Sequence, residues 1–344
     1  MSKSDLAMFR KIVAKQLGNE IFEYKKSVTR VTTGSLKIDD FIDGIVEGTL
    51  CEIFGGEASG KSSTASIIAG KFQETYPDKA VGIIDVEHVW NWENSRKYGL
   101  IDTDDRLVFS QPSSAEECLS LAEKMLESGL FSLVILDSVA AMLTKKQLSG
   151  DIGDQTIGEL ARLMSVALPK INNAASNSKT CMIFINQTRS AIGTFSPSPG
   201  GATSTPGGRA LKYFCSLRLE LKKRDYIVKG EETIGQEIRV VVRKNKFGRN
   251  NGYVDAAIYY NQGFKPEDEI VDLCKSRNII KTAGAWVYFG DLKWNGSKVL
   301  TEAVKNDSVL FESLLSEYKK SIENERTSVS IEMIGKEEED DDNE

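Results

Sequence analysis

An α/β fold, with a mainly parallel sheet covered by helices on both faces, is predicted by three observations. Short apolar runs alternate with amphipathic stretches between residues 50 and 186, the pattern of strands buried on both faces and joined by helices. Gly55-Gly56-Glu57-Ala58-Ser59-Gly60-Lys61-Ser62 fits G-x-x-x-x-G-K-[ST] and stands between an apolar run, 50–54, and a helical stretch, 63–72, which is the context a phosphate-binding loop needs. From residue 216 the helical spacing stops, and 216–222, 237–244 and 254–260 read as consecutive strands, an antiparallel extension of the sheet.

Taken in order, residues 5–17 place Leu6, Phe9, Ile12, Val13 and Leu17 on one stripe of a helix, with lysines and Arg10 opposite. That helix is expected to dock on its own core or on a neighbouring subunit. Residues 18–34 read as a polar linker with one short strand, so 1–33 is assigned to an oligomerisation arm. A cap and helix at 34–41 lead to the first core strand. Strands at 80–85, 107–110, 133–137 and 180–186 then alternate with helices at 92–98, 115–127 and 158–175. Pro169 is expected to kink or interrupt the last of these, because it lacks an N–H and its ring meets the preceding turn. The core is assigned to 34–262, a small, mostly helical α+β domain to 263–328, and a disordered acidic tail to 329–344.

Composition narrows the class. No apolar run is long enough to span a membrane, and the first residues lack a signal-peptide pattern, so a cytoplasmic protein is expected. Cys51, Cys118, Cys181, Cys215 and Cys274 stand singly, which argues against a zinc module or a disulfide framework and for a reducing compartment. The net charge of −6 is misleading, since residues 336–344 alone hold seven carboxylates and one lysine. The rest of the chain is balanced, and a nucleic-acid face is not excluded.

The chemistry gathers at strand ends. In the 55–62 loop, backbone N–H groups and the dipole of the following helix would hold a polyphosphate, with Ser63 in the first turn. Lys61 would reach the β- and γ-phosphates and Ser62 would ligate Mg²⁺. Leu133-Val134-Ile135-Leu136-Asp137 ends in the acid expected to hold that ion. Glu87, two residues beyond Asp85, is the expected base for the attacking water. Gln187, after Ile183-Phe184-Ile185-Asn186, is placed to contact a γ-phosphate. Two loops follow the site, 147–157 and 188–207, and the second holds three of the chain's seven prolines. Long polar loops in a compact core are usually functional, and a polymer ligand is expected there. Arg162, Arg189, Arg209 and Lys212 would meet its phosphates, and Ile157 and Ile192 would wedge between bases. Arg243-Lys244-Asn245-Lys246 reads three ways: a nucleic-acid contact, a reach to a neighbour's nucleotide, or a solvated strand end.

The ordered set Thr32-Thr33-Gly34-Ser35-Leu36, the 55–62 loop, Ile84-Asp85-Val86-Glu87-His88, Asp137-Ser138-Val139-Ala140-Ala141, Gly150-Asp151-Ile152-Gly153-Asp154, Ile183-Phe184-Ile185-Asn186-Gln187, Gly207-Gly208-Arg209-Ala210-Leu211-Lys212, Val242-Arg243-Lys244-Asn245-Lys246 and Lys281-Thr282-Ala283-Gly284-Ala285-Trp286 resembles bacterial RecA recombinases over roughly residues 32–290. The resemblance implies a RecA-type core and an ATP- and Mg²⁺-dependent filament on single-stranded DNA that pairs it with homologous double-stranded DNA. It implies that Glu87 is catalytic, that Asp137 holds the metal and that Gln187 senses the γ-phosphate. It also implies that 147–157 and 188–207 are DNA loops carrying the wedges Ile157 and Ile192, and that Lys244 and Lys246 act on a neighbour's ATP. Asn91 and Asn94 stand where the family has an aspartate and a tyrosine against adenine, so the resemblance implies either weaker base stacking or a takeover of it by Trp90 or Trp92. Pro169 replaces a DNA-contacting arginine. These departures are more like a bacteriophage-encoded relative than a chromosomal copy. Two alternatives are carried: a filament-forming DNA mediator with little turnover, and a hexameric ring helicase, which the short N-terminal segment disfavours.

Overall fold

The structure, a computed structural model, describes residues 3–17, 28–151, 158–190 and 203–341. Helix α1 (Lys3–Leu17) leaves Leu6, Met8 and Ile12 exposed, so among the described residues its apolar stripe is not buried in this chain's own core. Strand β1 (Arg30–Val31) is followed by α2 (Leu36–Ile42), which Ser35 caps by accepting the Ile38 N–H, and β2 (Ile45–Val46) returns to pair antiparallel with β1.

The main sheet opens with β3 (Leu50–Gly55), which runs into α3 (Lys61–Thr75). Then β4 (Ala80–Asp85), α4 (Trp92–Lys97), β5 (Leu107–Ser110), α5 (Ala115–Ser128) and β6 (Phe131–Asp137) alternate. Helices α6 (Lys145–Ser149) and α7 (Glu159–Ser178) lead to β7 (Cys181–Gln187), the two-residue strands β8 (Arg189–Ser190) and β9 (Thr203–Ser204), and α8 (Gly208–Phe214). Last come β10 (Leu217–Lys229), β11 (Glu232–Asn245) and β12 (Tyr253–Tyr259). The strand order is β12-β11-β10-β3-β7-β6-β4-β5. Pairing is parallel from β10 to β5 and antiparallel from β10 to β12.

Alternation along the strands builds two cores. Ile53, Ile83, Ile135 and Ile185 pack with Ile68 and Phe72 of α3 on one face. Ile84, Leu136 and Phe184 pack with Leu126 of α5 and Leu168 of α7 on the other. Every parallel connection therefore delivers its strand's C-terminal end to the same rim of the sheet, which is where the candidate residues lie. Pairing of β10 with β3 ends at Leu221–Gly55, so from Lys222 onward β10 has a neighbour on the β11 side only.

Four local expectations change, the last of them in the C-terminal helix. Helix α7 runs through Pro169 without interruption. Pro169 and Ser165 both lie on the exposed side of the helix, where a carbonyl left without its helical donor can be met by water, which lowers the cost of the proline. The 147–157 loop begins inside α6, because Thr144 and Gln147 form a reciprocal capping box. The C-terminal unit holds more strand than its mostly helical pattern suggests.

That unit consists of α9 (Pro266–Ser276), an antiparallel sheet of β13 (Lys281–Ala283), β14 (Trp286–Phe289) and β15 (Leu292–Asn295), then α10 (Ser297–Asn306) and α11 (Ser308–Asp341). It has its own core around Ile270, Leu300 and Leu314. It docks on α2: Ser35 Oγ–H donates to Glu269 Oε1 at 2.8 Å, and Arg277 and the Tyr318 hydroxyl both reach Asp40. Burial pushes the Glu269 carboxyl up to about 7. Helix α11 continues to Asp341, where a disordered tail is expected from 329. Extending an anchored helix avoids the nucleation cost, and Glu, Lys and Met propagate it well.

Candidate functional site

The loop between β3 and α3 is shaped by its glycines. A Cβ on Gly55 would sit 2.2 Å from the Leu221 carbonyl oxygen and 2.8 Å from Ser59 Oγ. Gly60 opens α3 at φ +86°, a left-handed conformation suited to glycine. Ser59 Oγ–H and the Lys61 ammonium both donate to the Gly56 carbonyl, at 2.9 and 2.6 Å. The loop folds back on itself while Gly56, Glu57 and Ala58 stay exposed. Burial pushes the Lys61 pKa down, opposed by the charges of Asp137, Glu87 and Glu57. Burial pushes the Tyr98 hydroxyl pKa up, opposed by the nearby Ser63 side chain.

The carboxylates stand beside it. Ser62 Oγ–H donates to Asp137 Oδ2 at 2.7 Å, which brings together two hard oxygen donors, a set that fits Mg²⁺. Burial pushes the Asp137 carboxyl up to about 6, with the Ser62 hydrogen bond opposing and the Glu87 and Asp85 charges adding. Asp85 is occupied: its Oδ2 accepts the Trp90 N–H at 3.2 Å and Gln111 Nε2–H at 3.0 Å. Glu87 lies further out. Its Oε1 accepts from the Ser138 hydroxyl and from Gln187 Nε2–H, the latter at 2.9 Å. The Asp137–Ser138 peptide is cis. The Val86 N–H donates to the Asp137 carbonyl at 2.6 Å, tying the exit of β4 to that of β6.

Gln187 links this cluster to the chain beyond it. The Thr188 N–H donates to the Gly55 carbonyl at 3.2 Å, and β8 pairs with β9, Arg189 opposite Ser204. A cleft of about 480 Å³ lies nearby, lined by Gln147, Gly158, Ala161, Pro206, Gly207 and Gly208. A Cβ on Gly208 would lie 2.9 Å from that of Ala161. Close packing of α7 and α8 thus brings the adjacent exposed residues Arg162 and Arg209 to one end of the sheet, with Lys212 a turn further along α8. Ile157 and Ile192 lie outside the described residues.

Lys244 is away from the loop of its own chain. Its ammonium donates to the Lys212 and Tyr213 carbonyls, at 2.8 and 2.7 Å, at the C-terminal end of α8. Burial and the neighbouring Lys246 push its pKa down. Lys246 lies 5.9 Å from the centre of the Tyr213 ring. Asn91 caps α4 by accepting the Asn94 N–H at 3.0 Å, so its side-chain oxygen is engaged locally. Trp92 packs edge-on against Phe109, with ring centres 4.7 Å apart, and both Trp90 and Trp92 lie against the core. The sequence reading missed Ser138, whose signal is its place directly after the strand-end acid. It also missed the trio of buried Glu52 and Asn186 with half-buried Arg218, whose signal is a polar residue inside an apolar strand.

A model of the RecA N-terminal domain family matches residues 6–265. Protein RecA of Clostridium acetobutylicum is 39% identical over 269 residues, 78% of this chain and 75% of that protein. Protein RecA of Acidothermus cellulolyticus is 39% identical over 282 residues, covering 80% and 79%. Protein RecA of Citrifermentans bemidjiense is 38% identical over 294 residues, covering 83% and 84%. With the phosphate loop, the strand-end acids and the parallel sheet in place, these matches make the chain a member of the RecA family of recombinases.

Proposed function

We propose that the chain binds ATP with Mg²⁺ in the 55–62 loop, assembles on single-stranded DNA and pairs it with homologous double-stranded DNA. As a RecA family member it is a DNA-dependent ATPase that forms filaments and catalyses homologous strand exchange in recombination and repair. The observation that carries the residue assignment is the pair of hydrogen bonds on Glu87 Oε1. One comes from Ser138, beside the strand-end acid, and one from Gln187, at the entry to 188–207.

Ser62 and Asp137 would hold Mg²⁺, which when bound neutralises charge on the β- and γ-phosphate oxygens. Lys61 leaves the Gly56 carbonyl for those same oxygens. Glu87 takes the proton of the attacking water as its oxygen bonds to the γ-phosphorus and the bridging oxygen leaves with ADP. Gln187 exchanges its bond to Glu87 for one to the γ-phosphate and so shifts the chain at Thr188. Arg162, Arg189, Arg209 and Lys212 meet DNA phosphates, and Ile157 and Ile192 meet bases. Lys244 and Lys246 act on the nucleotide of the adjoining subunit. Among the described residues no helix is long and apolar enough to cross a membrane. The buried thiols of Cys51, Cys118, Cys181, Cys215 and Cys274, none of them in a disulfide among the described residues, suit a cytoplasmic setting.

The test is ATP hydrolysis with and without single-stranded DNA, wild type beside Glu87→Gln, with filaments imaged in both. Strong DNA stimulation that falls by about a hundredfold or more in the variant while filaments persist is the expected result. Filaments without DNA-stimulated turnover in the wild type would favour the mediator reading, which the engaged Asn91 side chain motivates. Closed rings would favour a helicase.

A further inference from the structure

Asn186 is fully buried at the end of β7, and its amide makes three bonds. Nδ2–H donates to Glu52 Oε1 on β3 at 3.0 Å and to the Pro206 carbonyl at 2.9 Å. Oδ1 accepts the Gln187 N–H at 3.0 Å. One side chain thus holds the residue before Thr188 and the residue before Gly207, the two feet of the β8–β9 ladder. Glu52 is itself fully buried, and its second carboxylate oxygen accepts from Arg218 Nε–H on β10 at 2.5 Å. The Arg218 guanidinium lies 4.7 Å from the centre of the Phe54 ring. In the β10–β11 register, Arg218 is the partner of Lys244. A buried carboxylate is costly unless it is paired and hydrogen-bonded, and here each oxygen has a donor from a different strand.

We infer that Asn186 is a positioning residue that fixes both feet of the 188–206 segment against β3, so that a shift of Gln187 is passed to Pro206 and α8 rather than absorbed at the entry alone. The amide suits this because it is at once an acceptor for the Gln187 N–H and a two-proton donor for Glu52 and Pro206. Aspartate has nearly the same shape but cannot donate when ionised. The inference rests on the proposed contact of Gln187 with the γ-phosphate.

The test uses Asn186→Asp, the double variant Asn186→Asp/Glu52→Gln, and Gln187→Ala, each as the full chain. Asn186→Asp sets a carboxylate against Glu52 and against the Pro206 carbonyl, and is expected to melt well below wild type. In the double variant the glutamine amide introduced on β3 donates to the carboxylate introduced on β7, one negative charge is retained and the melting temperature recovers. The Pro206 bond stays broken. Single-stranded DNA affinity is measured with ATP and with ADP for each. The double variant is expected to lose about tenfold of the ATP-linked gain in affinity, a usual size for such coupling, while its KM for ATP stays near wild type. Recovery of both stability and the ATP-linked gain would overturn the inference and leave Asn186 a purely structural residue. An unchanged ATP-linked gain in Gln187→Ala would instead overturn the role of Gln187. Should the double variant not fold, Pro206→Gly leaves Glu52, Asn186 and Arg218 intact and loosens only the chain that presents the carbonyl. An ATP-linked gain equal to wild type there would overturn the inference.

Discussion

Asparagine at Asp137 is expected to cut DNA-stimulated hydrolysis by about a hundredfold or more, because the proposed metal loses its anionic ligand, and yet to make the protein harder to unfold at neutral pH. The second effect follows from the carboxyl being pushed up to about 6, chiefly by burial. An unfolded aspartate titrates near about 3.9. Between these values the folded chain keeps a proton that the unfolded chain has released. The favourable contribution is therefore full below about pH 4 and is lost as pH rises through 6. Above that, ionised Asp137 costs the fold on the order of 3 kcal/mol. Asparagine removes this cost, and its amide oxygen still accepts the Ser62 hydroxyl. Thermal unfolding from pH 4 to 8 should show the wild type losing stability across this window and the variant not losing it. A variant less stable than wild type at pH 7 would mean that the ionised carboxylate is held by more than Ser62.

Gly55→Ala and Gly56→Ala should differ sharply although the residues are adjacent in one motif. An added methyl at Gly55 would lie 2.2 Å from the Leu221 carbonyl, which belongs to the backbone of the paired strand and cannot rotate away. Separating β3 from β10 there should cost on the order of 3 kcal/mol and tilt the loop that follows. At Gly56 an added Cβ meets nothing within 4 Å, and the change should leave unfolding within about 0.5 kcal/mol of wild type. Denaturant unfolding of the two variants decides it; equal losses would show that the loop constrains both glycines alike.

This contrast shows what was legible in the sequence. The G-x-x-x-x-G-K-[ST] spacing marks Gly55 and leaves Gly56 free, because spacing along the chain encodes local geometry. The same holds for the strands, whose apolar runs reveal burial on both faces, and for Asp137 and Glu87 at strand ends. Contacts across large sequence separations were not legible. Glu52 and Asn186 are 134 residues apart, and neither position names the other until the sheet order brings β3 beside β7. Pro169 misled for a related reason: a rule about the local backbone does not say which side of a helix meets water. At Asn91 a residue aligned with a base contact proves to serve its own helix end.

The change in β10 at Lys222 bears on how the protein behaves at high concentration. Up to Leu221 the strand is enclosed, and alternate residues are Leu217, Leu219 and Leu221. Beyond it, a row of backbone donors and acceptors faces outward, the kind of rim on which chains aggregate edge to edge. The sequence turns to Lys222-Lys223-Arg224-Asp225 at the point where β3 ends. Like-charged rims repel and keep one molecule from adding its strand to the next. Replacing Lys222, Lys223 and Arg224 with threonine should leave the melting temperature nearly unchanged and hasten turbidity on concentration. Clear solutions at the same concentration would mean that the rim is guarded by something other than charge.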